Sequence, residues 1–98
     1  MKIIILTILL TGCAGFGGVK EITLDNAEAE CRYFGVIGTE LKEQAPDFTV
    51  NIVGDNINKY CPTNGCLHNG RDIYVRDNDW LIIGHEKCHG LFINSKNG

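Results

Sequence analysis

The chain lacks three features that would each have suggested a particular class of protein. Its nine lysines and arginines form no basic run, and twelve acidic residues outnumber them, so the formal net charge is −3. Proteins that bind nucleic acids cluster positive charge against phosphates, so no nucleic-acid partner is predicted. The acidic residues form no block either, which excludes an acidic tail. The most apolar stretch, residues 3–10, is too short to span a bilayer.

That short apolar stretch has the layout of a secretory signal, because it follows Lys2 and ends in small residues. The sequence from Leu10 to Cys13 (LTGC) resembles the lipobox of bacterial lipoproteins. The resemblance implies cleavage before Cys13 and a lipid on its thiol, which would hold the protein at a membrane without spanning it. By analogy with Gram-negative lipoproteins, Ala14 after the cysteine implies the outer membrane, facing the periplasm. The alternatives are a plain signal peptide with an incidental cysteine, or an uncleaved anchor.

The remainder of the chain is predicted to form one small domain. Residues 1–12 would be the signal peptide, and the glycine-rich residues 13–20 indicate a flexible tether between the lipid and the fold. Residues 21–98 would form the domain itself. A chain this short buries a limited core and often needs covalent staples.

Four cysteines are left once the lipid-bearing one is set aside, an even number in an exported protein. Four cysteines allow three pairings. The turn sequence between Cys61 and Cys66 (PTNG) makes a local bridge the simplest arrangement, which would leave Cys31 to pair with Cys88. Closing that long loop could stabilise the fold by an amount on the order of 3–4 kcal/mol through chain entropy.

The segment from Trp80 to Ile93 (WLIIGHEKCHGLFI) contains the pattern His-Glu-x-x-His. Residues four apart lie on one face of an α-helix, so His85 and His89 can both reach one metal ion there. The flanking apolar residues fall on one broad side, and the helix is expected to begin near Asp79, an N-cap candidate. The alternative is a helix with two half-buried histidines and a solvated glutamate.

In such a helix, the pattern H-E-x-x-H resembles that of the zincin metallopeptidases. The resemblance implies that His85 and His89 bind Zn²⁺ through Nε2 and that Glu86 is the general base. It also implies hydrolysis of a peptide or protein substrate in the cell envelope. A zinc-dependent metallopeptidase is therefore the first functional hypothesis.

A catalytic zinc site needs a third protein ligand, and the extensions known in zincins are missing. The metzincin extension places a glycine and a histidine where this chain has Phe92 and Ser95, and no acidic residue follows the motif. The third ligand is expected upstream, from another molecule, or not at all if the chain is truncated. His68 is the upstream candidate. It could instead be an exposed loop residue, or share a structural zinc site with Cys61 and Cys66, although exported thiols tend to be oxidised.

The fold class predicted from these patterns is α+β, with a short β-sheet packed on the motif helix. Alternating apolar residues predict strands over 48–53 and 71–76, a helix is predicted from residue 27 to about 34, and 21–24 could be a short strand.

In zincins, the edge strand of the sheet lines the substrate cleft. The resemblance therefore assigns to Ile73, Tyr74 and Val75 the pairing with an extended peptide by strand addition. The alternative is that this run is a central strand of a small sheet.

The second functional hypothesis is a non-catalytic envelope lipoprotein, of which a small prophage-encoded lipoprotein is one variant. In it the helix is structural, or binds metal without turnover. The missing third ligand and the small surface for substrate favour this hypothesis. Lysis spanins are usually richer in proline than this chain, which has only Pro46 and Pro62.

Overall fold

The computed structural model describes residues 21–98. The signal peptide, the lipidation site Cys13 and the tether lie outside the described residues, so they stay predictions. The predicted α+β class is confirmed within residues 21–98, which contain both short helices and short strands. None of the helices in this part of the chain has the length and apolar character needed to cross a membrane.

Two helices and five strands account for most of the regular structure. In chain order these are α1 (Ala27–Tyr33), β1 (Val36–Leu41), β2 (Thr49–Ile52), a 3₁₀ helix (Gly54–Lys59), β3 (Gly65–His68), β4 (Asp72–Val75), α2 (Trp80–Leu91) and β5 (Phe92–Asn97). Strands β1 and β5 form an antiparallel pair. The other sheet has the order β2-β4-β3, with β2 parallel and β3 antiparallel to β4. The predicted helix and strands are thus confirmed, except that residues 21–24 are not a strand.

The motif helix α2 begins where the sequence predicts. Asp79 is its N-cap, and the carboxylate accepts backbone N–H bonds from Leu81 at 3.0 Å and from Ile82 at 3.4 Å. These bonds satisfy two of the four N–H groups that a helix start leaves without partners. The first turn of α2 is therefore fixed, six residues before His85.

Both predicted disulfides are confirmed. Cys31 on α1 is bonded to Cys88 on α2, and both residues are fully buried in the core beside Leu91. The second bridge joins Cys61 and Cys66 and closes the turn that leads into β3. The long bridge fastens the motif helix to the only other α-helix among residues 21–98.

The expectation that Ile73, Tyr74 and Val75 form an open sheet edge is wrong. They belong to β4, the central strand, whose backbone pairs with β2 on one side and β3 on the other. Ile73 and Val75 are also fully buried. A strand with both edges paired has no backbone groups left for a peptide. Within the described part of the chain, β3 is an edge strand of this sheet.

Candidate metal centre

The two histidines of the motif converge on one point. Their Nε2 atoms lie 3.2 Å apart, and their rings are inclined by 71° with centroids 4.8 Å apart. Two bonds of about 2.0–2.1 Å to one zinc ion place the nitrogens about 3–3.5 Å apart. Both side chains are half-buried, so they are held by their surroundings while still accessible from the cleft. The pair therefore has the spacing of two ligands of one metal ion.

The orientation of His85 is fixed by the backbone. Its Nδ1 lies 2.7 Å from the carbonyl oxygen of Phe34, which follows α1. A carbonyl oxygen only accepts, so Nδ1 carries the hydrogen, and in the neutral ring Nε2 presents a lone pair. Gly35, with a φ of +81°, turns the chain directly after this carbonyl. An N–H bond from the second ring nitrogen to a carbonyl is the usual way a ligating histidine is oriented.

His89 is anchored from the C-terminal strand. Its Nδ1 lies 2.7 Å from the hydroxyl oxygen of Ser95 on β5. A hydroxyl can donate or accept, so Ser95 suits either tautomer of the ring. Ser95 occupies the position where the metzincin extension has a metal-binding histidine, and here it contacts the ring of a motif histidine instead.

A third polar atom joins the two ring nitrogens. The side-chain oxygen of Asn97 lies 2.9 Å from Nε2 of His85 and 2.8 Å from Nε2 of His89. Asn97 is two residues after Ser95, so both point to the same face of β5. The sequence does not single out Asn97, because a zinc ligand after the motif is expected to be a histidine or a carboxylate. The one hint in the sequence is that Ser95 and Asn97 are two polar residues two positions apart, directly after the motif helix.

Glu86 lines the cleft beside these atoms. The cleft has a volume of about 430 Å³, with His85, Glu86, His89 and Asn97 on one wall and residues of the 62–67 segment on the other. Burial raises the pKa of the Glu86 carboxyl, and the positive charges that His85 and His89 can carry act in the opposite direction. The glutamate is thus close to the converging atoms and partly shielded from water.

Strand β3 forms the opposite wall because it approaches α2 closely. A Cβ atom added at Gly65 would collide with the side chain of Ile82, so only glycine permits this separation. A second cleft of about 420 Å³ continues from the same place and is lined by Tyr33, Phe34 and Leu81 as well as by His85. The converging atoms therefore lie beside a groove with an apolar extension.

The structure does not bring His68 to the motif histidines. Gly65 faces α2, and His68 is three residues further along the strand, so its side chain lies on the other face of β3. There Nε2 of His68 contacts the carbonyl oxygen of Tyr60 at 2.9 Å, and the ring packs 4.8 Å from that of Tyr74. The expectation of His68 as the third ligand of the motif site is therefore not supported by its position.

His68 instead belongs to a separate group with Cys61 and Cys66. Among residues 21–98, this is the one cluster of three or more histidine, cysteine or acidic side chains that could hold a metal, with ligand atoms within 4.8 Å of one another. The two cysteines are bonded to each other, however, and a cystine offers no thiolate to a metal. In the oxidised protein, this group therefore lacks the two thiolates that it would need to bind a metal ion.

Comparison with known proteins adds no relative. The chain matches no protein-family model, no curated protein and no solved structure. The resemblance to zincins accordingly remains a prediction from the H-E-x-x-H motif.

Proposed function

We propose that this protein is a small zinc-dependent hydrolase of peptide bonds, held at the cell envelope by a lipid on Cys13. His85 and His89 would hold the zinc ion, and Glu86 would be the general base. The observation that carries the proposal is the 3.2 Å separation of the two Nε2 atoms, with Glu86 in the same cleft. When bound, zinc polarises a carbonyl group and lowers the pKa of a coordinated water towards neutrality.

The role of Glu86 follows from its position in that cleft. Its carboxylate would take a proton from the attacking water as the new carbon–oxygen bond forms. The same proton would pass to the amine that leaves when the carbon–nitrogen bond breaks. Because burial raises the pKa of the Glu86 carboxyl, this group holds a proton more readily than an ordinary glutamate does. It would therefore be suited both to accept the proton of the water and to pass it on.

The free edge of β3 supports a peptide as substrate. Gly65, Cys66 and Leu67 line the cleft opposite the motif helix, and among residues 21–98 only β4 pairs with their strand. An extended peptide could add to such an edge through backbone hydrogen bonds. The adjoining apolar surface of Tyr33 and Leu81, two exposed side chains, would favour substrates with a bulky apolar residue next to the cleaved bond.

The proposal is tested with the purified, oxidised protein. We expect one zinc ion per chain and cleavage of a peptide library that a chelator abolishes and added zinc restores. Glu86→Gln should remove cleavage while zinc is retained, because the glutamate is not a ligand. Glu43→Gln, an exposed glutamate outside the cleft, is the matched control and should cleave normally.

Two outcomes would contradict the proposal in different ways. Zinc retained without hydrolysis of any peptide would favour the non-catalytic envelope lipoprotein, with a metal-binding helix that performs no turnover. Absence of zinc from the folded, oxidised protein would remove the metal site itself, and the hydrolase with it.

A further inference from the structure

We propose that the side-chain oxygen of Asn97 is the third protein ligand of the metal, and that Ser95 holds His89 in its metal-binding tautomer. The inference rests on the proposed function, since it needs a metal at His85 and His89. It assigns the ligand that the motif leaves open, and it takes that ligand from a carboxamide on the C-terminal strand.

The hydrogen bonds around the site leave two acceptor atoms facing each other. Nδ1 of His85 donates to the carbonyl of Phe34, so Nε2 presents a lone pair towards Asn97. The Asn97 oxygen, 2.9 Å away, is also an acceptor. Two acceptors at this distance repel each other unless a cation lies beside both. With the amide oxygen in this position and His85 neutral, a cation beside both atoms explains the contact better than a hydrogen bond does.

Few hydrogens are available between the three converging atoms of His85, His89 and Asn97. The three converging atoms are separated by 2.8, 2.9 and 3.2 Å. At most one hydrogen is available to them when both rings are neutral, on Nε2 of His89. In the other tautomer of His89, the hydrogen is on Nδ1 and is donated to the hydroxyl oxygen of Ser95, 2.7 Å away. All three atoms then present lone pairs to one point, as metal ligands must.

The fold builds this arrangement from one turn. The carbonyl of Phe34 orients His85, and the next carbonyl, of Gly35, accepts the N–H of Gly98 at 2.8 Å. Asn97 is also paired with Val36 across the β1–β5 ladder. The turn at residues 34–35 thus positions a ring from α2 and an amide from β5 together.

The chemistry of the ligand set predicts how the site responds to substitution. Two imidazoles and a carboxamide are all neutral, so they bind a divalent cation more weakly than a set with a carboxylate. Asn97→Asp adds a negative charge with almost no change of shape and should tighten zinc binding by tenfold or more. Asn97→Ala should weaken it at least by the roughly 10–100-fold that loss of an outer-shell partner costs.

The opposite orientation of the Asn97 amide makes the opposite prediction. Its two N–H groups would donate to the two histidines, and Asn97 would be a hydrogen-bond partner in a metal-free site. Asn97→Ala would then free both ring lone pairs, so zinc affinity would stay the same or rise. The alanine variant therefore separates a ligand from a structural partner, whereas an aspartate at position 97 could itself bind zinc.

The experiment is a zinc competition titration against a chelator, on the full oxidised chain, above the pH range in which histidine titrates. Wild type is compared with Asn97→Asp, Asn97→Ala and Ser95→Ala. Asn94→Asp and Asn94→Ala are the matched controls, since Asn94 is an exposed asparagine on the same strand. We expect tighter binding for Asn97→Asp, weaker binding for Asn97→Ala, about tenfold weaker binding for Ser95→Ala, and no change for the controls. The visible spectrum of bound Co²⁺ should also change in Asn97→Ala, because a ligand is lost.

Failure of the inference can be distinguished from failure of the proposed function. If wild type binds one zinc ion and both Asn97 variants bind it equally well, Asn97 is not a ligand and the histidine pair remains. If wild type binds no zinc, both proposals fail. Should Asn97→Ala not fold, unchanged or weaker zinc binding by Asn97→Asp overturns the assignment.

Discussion

The carbonyl oxygen of Phe34 accepts a hydrogen bond from Nδ1 of His85 at 2.7 Å, across 51 residues of sequence. A backbone group orients the ring, so no side-chain substitution at position 34 removes the acceptor. What positions the acceptor is the turn at Gly35, which has a left-handed backbone with a φ of +81°. This hydrogen bond therefore depends on the backbone conformation at Gly35 and not on a polar side chain.

Gly35→Ala should accordingly affect both stability and zinc affinity. An alanine in the left-handed region costs about 1–2 kcal/mol, and relaxation of the turn would move the carbonyl away from His85. Urea unfolding and zinc titration measure the two effects. Gly54→Ala is the control, because Gly54 also has a positive φ, +59°, and a Cβ there meets no atom of residues 21–98 within 4 Å. It should lose stability without losing zinc affinity; equal affinities for the two variants would contradict the orienting role of the turn.

The two disulfides should contribute unequally to the free energy of unfolding. Cys31 and Cys88 are 57 residues apart in sequence, whereas Cys61 and Cys66 are five apart. Loop-closure entropy predicts a loss of about 4 kcal/mol when the long bridge is replaced by alanines and about 2 kcal/mol for the short one. Urea denaturation of the two double variants tests this order. A larger loss for the short bridge would contradict the chain-entropy account.

Glu86→Gln should be more stable than wild type at neutral pH in the metal-free protein. Burial raises the pKa of Glu86 above its ordinary value of 4.5, so the folded state holds the proton more tightly than the unfolded state does. The stability that this proton provides is complete below 4.5 and is lost as the pH rises through the raised pKa. Glutamine does not ionise, so the advantage of the variant should grow with pH and then level off.

Thermal unfolding of wild type and Glu86→Gln from acid to neutral pH measures this difference. Metal-free protein is required, because a bound dication lowers the pKa of a nearby carboxyl. If the melting temperature of Glu86→Gln exceeds that of wild type by less as the pH rises, the pKa of Glu86 is not raised in the folded protein.

Asp79→Ala should destabilise the protein by about 1 kcal/mol, because the carboxylate accepts two N–H bonds at the start of α2. Asp77→Ala is the control, since Asp77 is exposed and lies 3.8 Å from Arg76 in a surface ion pair. Such pairs contribute about 0–1 kcal/mol. Chemical denaturation of both variants tests the difference, and equal losses would argue against a specific capping role.

The motif helix could be predicted because its signals are local. The apolar spacing, the cap at Asp79 and the four-residue interval between the histidines all lie within 11 consecutive residues, 79–89. The short disulfide was predictable for the same reason, since a turn sequence separates Cys61 from Cys66. Pairing of the other two cysteines then followed by elimination.

The third side chain at the site could not be predicted, because its position depends on pairing between distant strands. Strand β5 (FINSKN) is polar without regular alternation, and it becomes a strand through its register with β1, which places Asn97 opposite Val36. His68 was the natural candidate from residue type, but three positions from Gly65 on a strand places it on the wrong face. Neither fact is contained in residue spacing alone.

The bond between Cys31 and Cys88 ties the geometry of the histidines to the redox state of their surroundings. Cys88 lies between His85 and His89 on α2, and Cys31 lies three residues before the carbonyl that orients His85. In the cytosol, glutathione keeps such thiols reduced. Chains kept in a reducing compartment would lack the covalent link between the two helices. Under the proposed export, the histidine pair would therefore gain this support only after the protein leaves the cytosol.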